Sequence, residues 1–273
     1  MPSARRPKLG QHFLASSSYR RRITEALDLR PDDLVIEIGA CRGAMTELLA
    51  ARAQRVIAIE LDAALAVKLK EQLRTDARIE VLQADILSAD LAALCQQHQI
   101  EKCFVFGNLP YYITSPILHR LFAFWSSIRA MALLVQREVA ERLTATAGTR
   151  AYGYLSVITQ LYSEPRIVLG VPPGAFVPLP KVQSALVSFQ MRSTFPDWLQ
   201  VGKGSALPEA ETEFLHFVKR CFAQKRKNLA NNLAGTYSRE RIEQALAALS
   251  LPRTIRAEQL ALSQFAGLFA HLS

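Results

Sequence analysis

Four consecutive residues, Asn108-Leu109-Pro110-Tyr111, combine groups that could hold the exocyclic amine of a base. They follow an apolar run over 103–106 that predicts a buried strand. An amide oxygen and neighbouring carbonyls can accept hydrogen bonds from an NH₂ group, Pro110 restricts the turn, and Tyr111 offers a ring for stacking. The tetrapeptide therefore predicts an adenine-holding site for methylation of the amine, although four residues alone fit a strand-ending turn equally well.

Three further strand ends carry groups that suit a nucleoside. The segment 37–43 follows the first strand and opens a helix, where Gly-rich loops hold nucleotides in doubly wound folds. Glu60 lies 21 residues after Gly39, the offset at which a carboxylate reaches ribose hydroxyls, and Asp85 could accept from an adenine amine. Cys41 occupies a position that a dinucleotide fingerprint reserves for glycine. Although each acid could simply cap the next helix, the set predicts an adenosine-containing cofactor.

The elements that must position these residues alternate between strand and helix. Strands are predicted over 34–38, 56–60, 79–82, 104–106, 131–135, 167–169 and 185–189. Helices are predicted over 45–52, 63–73, 116–125 and 137–144. This alternation predicts an α/β domain with a largely parallel sheet. A linker composition near 193–210 separates it from a helical pattern, so we expect a domain over 1–195 and a small all-α domain over 205–273.

The charge is strongly basic and unevenly placed. The net charge is +9, and residues 1–22 form a basic N-terminal segment without an acid. A second basic cluster comprises Lys219, Arg220, Lys225, Arg226 and Lys227. Two such clusters predict a polyanionic partner such as RNA, bound with counterion release, although solvated basic faces are also common.

The spacing of the cysteines and the hydropathy of the chain indicate in which cellular compartment the protein is expected. Cys41, Cys95, Cys103 and Cys221 are widely spaced, which predicts reduced thiols rather than disulfides or a metal site. No apolar run has the length of a membrane span. We therefore expect a cytoplasmic protein, although the acid-free N-terminus also has the composition of an organellar transit peptide.

Taken together, the motifs resemble a known family, the ribosomal small-subunit (16S) RNA adenine N6,N6-dimethyltransferases of the KsgA/RsmA type, which use S-adenosylmethionine. The resemblance covers nearly the whole chain and is carried by segments 11–14, 37–39, 59–62, 107–111, 136–143, 151–157, 176–182 and 222–229. It implies a Rossmann-like class I methyltransferase domain, followed by a helical C-terminal domain that binds RNA or the ribosome.

The resemblance also implies roles for individual residues. The cofactor would be bound by His12 and Leu14, which close over it, by Gly39 at its methionine end, by Glu60 at its ribose, by Asp85 at its adenine, and by Asn108. Phe176 would join Tyr111 in holding a flipped adenine. Direct transfer of the sulfonium methyl to N6 would then need acceptors at the Asn108 side chain and the Leu109 carbonyl rather than a strong general base.

The resemblance further implies a substrate: two adjacent adenosines in a hairpin near the 3′ end of small-subunit rRNA, dimethylated by a monomer during small-subunit biogenesis. The chain departs from the usual family pattern at His12, Cys41 and Tyr112. Alternatives are a large-subunit rRNA adenine dimethyltransferase and a non-catalytic RNA-binding, assembly or mitochondrial transcription factor of the same fold. A DNA adenine methyltransferase is a further alternative, although such enzymes usually carry two prolines in this motif.

Overall fold

The computed structural model describes residues 12–194, 207–224 and 227–273, which divide into two compact units. Within these residues, the first unit comprises the chain up to Ala140 together with Arg166–Met191. The second comprises Glu141–Pro165 and the chain from Arg192 to Ser273. The sequence predicted one boundary near residue 195, whereas the structure assigns 141–165 to the second unit.

Nine strands and eleven α-helices form the described chain. The strands are β1 (Phe13–Leu14), β2 (Leu34–Ile38), β3 (Arg55–Glu60), β4 (Ile79–Gln83), β5 (Cys103–Asn108), β6 (Ile128–Gln136), β7 (Ser163–Val171), β8 (Phe176–Val177) and β9 (Ser184–Met191). The helices are α1 (Ser17–Ala26), α2 (Thr46–Ala50), α3 (Ala63–Leu73), α4 (Leu91–Gln97), α5 (Thr114–Ala123), α6 (Arg137–Thr144), α7 (Tyr154–Tyr162), α8 (Leu207–Cys221), α9 (Leu229–Leu233), α10 (Arg239–Ala248) and α11 (Leu262–Leu272).

A seven-stranded sheet in the order β4-β3-β2-β5-β6-β9-β7 organises the first unit. Strands β4, β3, β2, β5 and β6 are parallel, and β9 pairs antiparallel with β6. Strand β2 is buried along its whole length, which explains its near-continuous apolar sequence. Because β2 to β5 are parallel, their carboxyl ends lie at one edge of the sheet, as the sequence predicted.

A two-stranded ribbon lies outside this sheet. Strand β1 pairs antiparallel with β8, so that Phe13 faces Val177 and Leu14 faces Phe176. The Ala15 and Ser16 amides extend the contact by donating to the Ala175 carbonyl. The ribbon therefore fixes the start of the described chain against a segment far along the sequence.

Apolar packing holds the sheet against its helices. One core cluster joins α1, α2 and the strands through Ile23, Leu49, Val35, Phe104 and Phe106. Helix α1 begins at a cap in which Ser16 Oγ accepts from the Tyr19 amide, and Asp62 caps α3 by accepting from the Ala64 and Leu65 amides. These caps fix where the helices start after the strands.

The second unit is helical except for the first residues of β7, and aromatic contacts run through it. The Tyr152 ring lies 6.3 Å from that of Phe222, which in turn lies 5.6 Å from Phe265. The Tyr162 hydroxyl donates to the Glu211 carboxylate on α8. Both Tyr152 and Tyr162 belong to the segment 141–165, so these contacts explain why that segment groups with the C-terminal helices.

Several element predictions required correction. Helices α4 and α7 and the short strands β1 and β8 were not predicted, and β4 ends at Gln83, two residues before Asp85. Helix α8 begins at Leu207, inside the predicted linker, while 195–206 lie outside the described residues. None of the described helices combines the length and apolar character that crossing a bilayer requires.

Candidate active site

In the loop after β2, every second residue from 39 to 43 has a left-handed backbone conformation. Gly39, Cys41 and Gly43 have φ values of 73°, 53° and 77°. Such φ values favour glycine because it has no Cβ, so Cys41 occupies a conformation that L-residues rarely adopt. A Cβ added at Gly39 would meet no atom within 4 Å, whereas one at Gly43 would lie 2.6 Å from Leu69 Cδ1. A side chain at Gly43 would therefore have to displace Leu69, while Gly39 faces open space.

The Glu60 carboxylate fixes this loop to the end of β3. Oε2 accepts from the Cys41 amide at 2.9 Å, and Oε1 accepts from the Asp62 amide at 2.9 Å. Glu60 is only 1% exposed, yet it lines a cleft. A carboxylate has about four lone-pair sites, so two acceptor positions stay available to a ligand hydroxyl.

Glu37 is a second buried acid at this edge of the sheet. Thr46 Oγ1 donates to Glu37 Oε2 at 2.5 Å. Burial raises the pKa of Glu37 to about 7, the Thr46 hydrogen bond lowers it, and the charge of Glu60 raises it further. Burial, assisted by Glu60 and Glu37, also raises the pKa of the Cys41 thiol to about 12, so the thiol is neutral at physiological pH.

The Asn108 amide has a fixed orientation. Its Nδ2 donates to the His12 carbonyl at 3.0 Å, so Oδ1 is the atom left to accept from a ligand. His12 is itself held, because Nδ1 donates to the Pro178 carbonyl at 2.7 Å. The Leu109 amide donates to the Leu134 carbonyl, and Thr114 Oγ1 donates to the Pro110 carbonyl. The turn is therefore anchored on β6 and on the first turn of α5.

Tyr111 and Phe176 differ in accessibility. The Tyr111 ring lies 5.4 Å from the His12 ring, and its hydroxyl is 2.9 Å from Ser184 Oγ on β9. Phe176 is 3% exposed and belongs to the core cluster, where its apolar ring gains more by burial than by facing the cleft. A role for Phe176 in holding the target base stays a prediction.

Three clefts have Gly39 as a common lining residue, and most of the predicted residues line one or more of them. The first cleft is lined by His12, Gly39, Cys41, Asn108, Leu109, Pro110 and Tyr111. The second lies at the ends of β3 and β4 and includes Glu60 and Asp85. The third, of about 570 Å³, includes Leu14, Asn108 and Glu37. Phe176 is not among their lining residues.

Two arginines at the third cleft, Arg20 and Arg42, were not predicted as site residues. In the sequence, Arg20 stands out only as part of the basic N-terminal segment. No sequence motif predicts that α1 lies beside the loop after β2, because only the packing of the folded chain brings them together. Met45, the residue before α2, adds an apolar side chain to the lining of this cleft.

The predicted RNA-binding cluster lies in the second unit. Lys219 and Arg220 lie exposed in the last turn of α8, and Arg220 Nη1 donates to Thr236 Oγ1 at 3.0 Å. Lys227 is exposed, while Lys225 and Arg226 lie outside the described residues. Among the described residues, no group of three or more His, Cys, Asp or Glu side chains could hold a metal ion.

Solved structures share this architecture across nearly the whole chain. The 23S rRNA methyltransferase ErmE is 30% identical with a TM-score of 0.72, and the comparison covers 95% of this chain and 99% of that chain. A dimethyladenosine transferase from Plasmodium falciparum, 22% identical, has the same fold with a TM-score of 0.75 over 94% of this chain and 96% of that one. The fold and site thus define a class I methyltransferase, a class that in general uses S-adenosylmethionine.

Sequence comparison identifies the family. The pattern of the family described as ribosomal RNA adenine dimethylase matches residues 3–272. The small-subunit rRNA methyltransferase A of Acidobacterium capsulatum is 43% identical over 268 residues, which cover 98% of this chain and 91% of that protein. The chain therefore belongs to the ribosomal RNA adenine dimethylase family and is an enzyme.

Proposed function

We propose that this enzyme dimethylates N6 of two adjacent adenosines in a hairpin near the 3′ end of small-subunit rRNA, using S-adenosylmethionine. The observation that carries the proposal is the fixed Asn108 amide, whose Nδ2 is bonded to the His12 carbonyl and which lines two of the three clefts. The first unit would bind cofactor and target base. The helical second unit, with its basic cluster, would bind RNA or the immature subunit, and the site of action would be the cytoplasm.

The side chains that line the clefts suit the chemical groups of S-adenosylmethionine. The second cleft offers only acids as charged groups, Glu60 and Asp85, which suit ribose hydroxyls and an adenine amine. Gly39 lines all three clefts and carries no Cβ, so a ligand that spans them would meet no side chain at this position. S-adenosylmethionine, when bound, supplies an electrophilic methyl group on a sulfonium.

The residues around Asn108 would position the amine rather than deprotonate it. The N6 lone pair is conjugated with the ring, so hydrogen bonds to Asn108 Oδ1 and the Leu109 carbonyl would favour a more tetrahedral and nucleophilic nitrogen. The same acceptors stabilise the positive charge that develops on nitrogen during transfer. Tyr111 would stack on the extruded base. After the first transfer one N–H is left, so the second round proceeds with one acceptor fewer.

Small-subunit rRNA is favoured over large-subunit rRNA as the substrate. Curated relatives that are 37–43% identical over nearly their whole length are named small-subunit methyltransferases. The enzyme named for 23S rRNA shares the fold at 30% identity. The intact Asn108 cluster also favours an active enzyme over a non-catalytic assembly factor.

The test is methyl transfer to immature small subunits that lack the modification. We expect labelling by the wild type and a loss of at least about 100-fold in Asn108→Ala, the usual cost of removing one transition-state hydrogen bond. Gln96→Ala, which removes an exposed amide side chain on α4 of the first unit, is the matched control and should keep wild-type activity. Subunit binding by Asn108→Ala should be retained.

Two outcomes would contradict the proposal in different ways. Equal labelling by the wild type and Asn108→Ala would refute the role of the amide. Labelling confined to large-subunit RNA would leave the chemistry in place and replace the substrate.

A further inference from the structure

The third cleft contains a cation, Arg20, that has no counter-ion among the residues that the structure describes. Arg20 Nε is buried and has no hydrogen-bond partner among the described residues. The described ion pairs do not include Arg20, and its charge is not among the causes of the altered Glu37 pKa. Buried charged groups are normally paired, because removing them from water without compensation is costly. The Arg20 guanidinium therefore suits an anion supplied by a ligand.

The position of this cleft indicates which part of a ligand reaches Arg20. The cleft shares Gly39, Cys41 and Asn108 with the cleft at the tetrapeptide, and it meets the Glu60 and Asp85 cleft at Gly39. If the adenosine of the methyl donor lies against Glu60 and Asp85, the opposite end of the donor extends past Gly39 into the third cleft. That end is an α-amino acid with one carboxylate and one ammonium.

The lining can hold both ends of such a zwitterion. It includes the guanidinium groups of Arg20 and Arg42, which suit the carboxylate, and the carboxyl group of Glu37, whose oxygens can accept a hydrogen bond from the ammonium. Arg42 is exposed and lies 5.5 Å above the Phe13 ring, so its charge is already in contact with water and an aromatic face. Arg20 is the less exposed of the two and the one with an unsatisfied donor.

We propose that Arg20 binds the carboxylate of the amino-acid end of the methyl donor, as a specificity residue that distinguishes the intact donor from shorter adenosine thioethers. The inference rests on the proposed function, because it takes the donor to be S-adenosylmethionine. A guanidinium matches a carboxylate in charge and in bidentate geometry.

The experiment compares two ligands by calorimetry. S-adenosylhomocysteine carries the amino-acid end, whereas 5′-methylthioadenosine has the same adenosine and a thioether without it. For Arg20→Ala, the Kd of S-adenosylhomocysteine should rise roughly 10- to 100-fold, the usual worth of a hydrogen bond to a charged group. The Kd of 5′-methylthioadenosine should change by less than about twofold, and Arg20→Lys should recover part of the affinity.

Arg22→Ala is the matched control, because it removes the same charge from the same helix. Arg22 is exposed and lies 4.9 Å above the Tyr19 ring, away from the cleft lining. Its two Kd values should equal those of the wild type. Circular dichroism of each variant checks that α1 is still folded.

The outcomes separate this inference from the proposed function. Unchanged S-adenosylhomocysteine binding by Arg20→Ala, or an equal loss for both ligands, would overturn the role of Arg20 and leave the cofactor assignment standing. A wild-type protein that binds neither ligand would instead overturn the cofactor assignment. Weaker RNA binding by Arg20→Ala with unchanged S-adenosylhomocysteine affinity would reassign the cation to a phosphate.

Discussion

Replacement of Glu37 by glutamine should change how the stability of the protein depends on pH. Glu37 is buried within β2 and accepts a hydrogen bond from Thr46, a contact that the glutamine carbonyl can retain. Burial raises its pKa from 4.5 to about 7, so the folded protein holds this proton more tightly than the unfolded chain does. The substitution removes the titrating group with little change in shape.

The sign and size of this change in the free energy of unfolding follow from proton linkage. The contribution of the protonated Glu37 to the free energy of unfolding is fully present below pH 4.5, declines as the pH rises, and is lost above about pH 7. A shift of this size corresponds to about 3 kcal/mol at 1.36 kcal/mol per pKa unit. The wild type should therefore lose about 3 kcal/mol relative to Glu37→Gln between pH 4.5 and 8.

Urea unfolding of both proteins across this pH range measures the difference directly. Glu47→Gln, which neutralises an exposed acid on α2, should follow the wild-type profile. If the free energies of unfolding of the wild type and Glu37→Gln run parallel at every pH, the pKa of Glu37 is the same in the folded and unfolded protein and the reasoning fails.

Two further predictions concern the loop and the basic cluster. Cys41→Gly should be more stable than Cys41→Ala by about 0.5–1 kcal/mol in urea unfolding. Alanine keeps the cost of left-handed backbone at this position, whereas glycine does not. A more stable alanine variant would contradict this prediction. Lys219→Gln combined with Lys227→Gln should lower the slope of log K for subunit binding against log salt by about 1 to 2, one phosphate contact per lysine. The exposed pair Lys68→Gln and Lys70→Gln on α3 should leave that slope unchanged, and equal slopes for both pairs would make the cluster an ordinary solvated surface.

The hydrophobic pattern of the sequence predicted most strands of the seven-stranded sheet, because these strands are long and consistently apolar. Helix α3 was predicted with its observed bounds, and β2 likewise. The ribbon of β1 and β8 was missed, since two-residue strands carry no detectable period. The sequence pattern placed segment 141–165 in the first domain, whereas the structure groups it with the second unit, because its packing against C-terminal residues depends on contacts far apart in sequence.

The candidate site was predictable where residues follow strands. Gly39, Glu60 and Asn108 lie at the ends of parallel strands, and topology alone brings such ends together. Arg20 was not recognised, because a helix residue reaches the cleft only through the way α1 packs. The burial of Phe176 could not be predicted from the sequence either, since the same motif could present the ring to a ligand or to the core.

The bond between His12 and Pro178 joins residues 166 positions apart, and it orients the segment whose carbonyl fixes the Asn108 amide. Closing a chain loop of that length costs roughly 4–5 kcal/mol of entropy, which the sheet between its ends must offset first. During synthesis, the N-terminal part of the site therefore stays unformed until residue 178 has emerged and folded. Catalytic competence thus arises late in the life of the nascent chain, after the sheet that supports it.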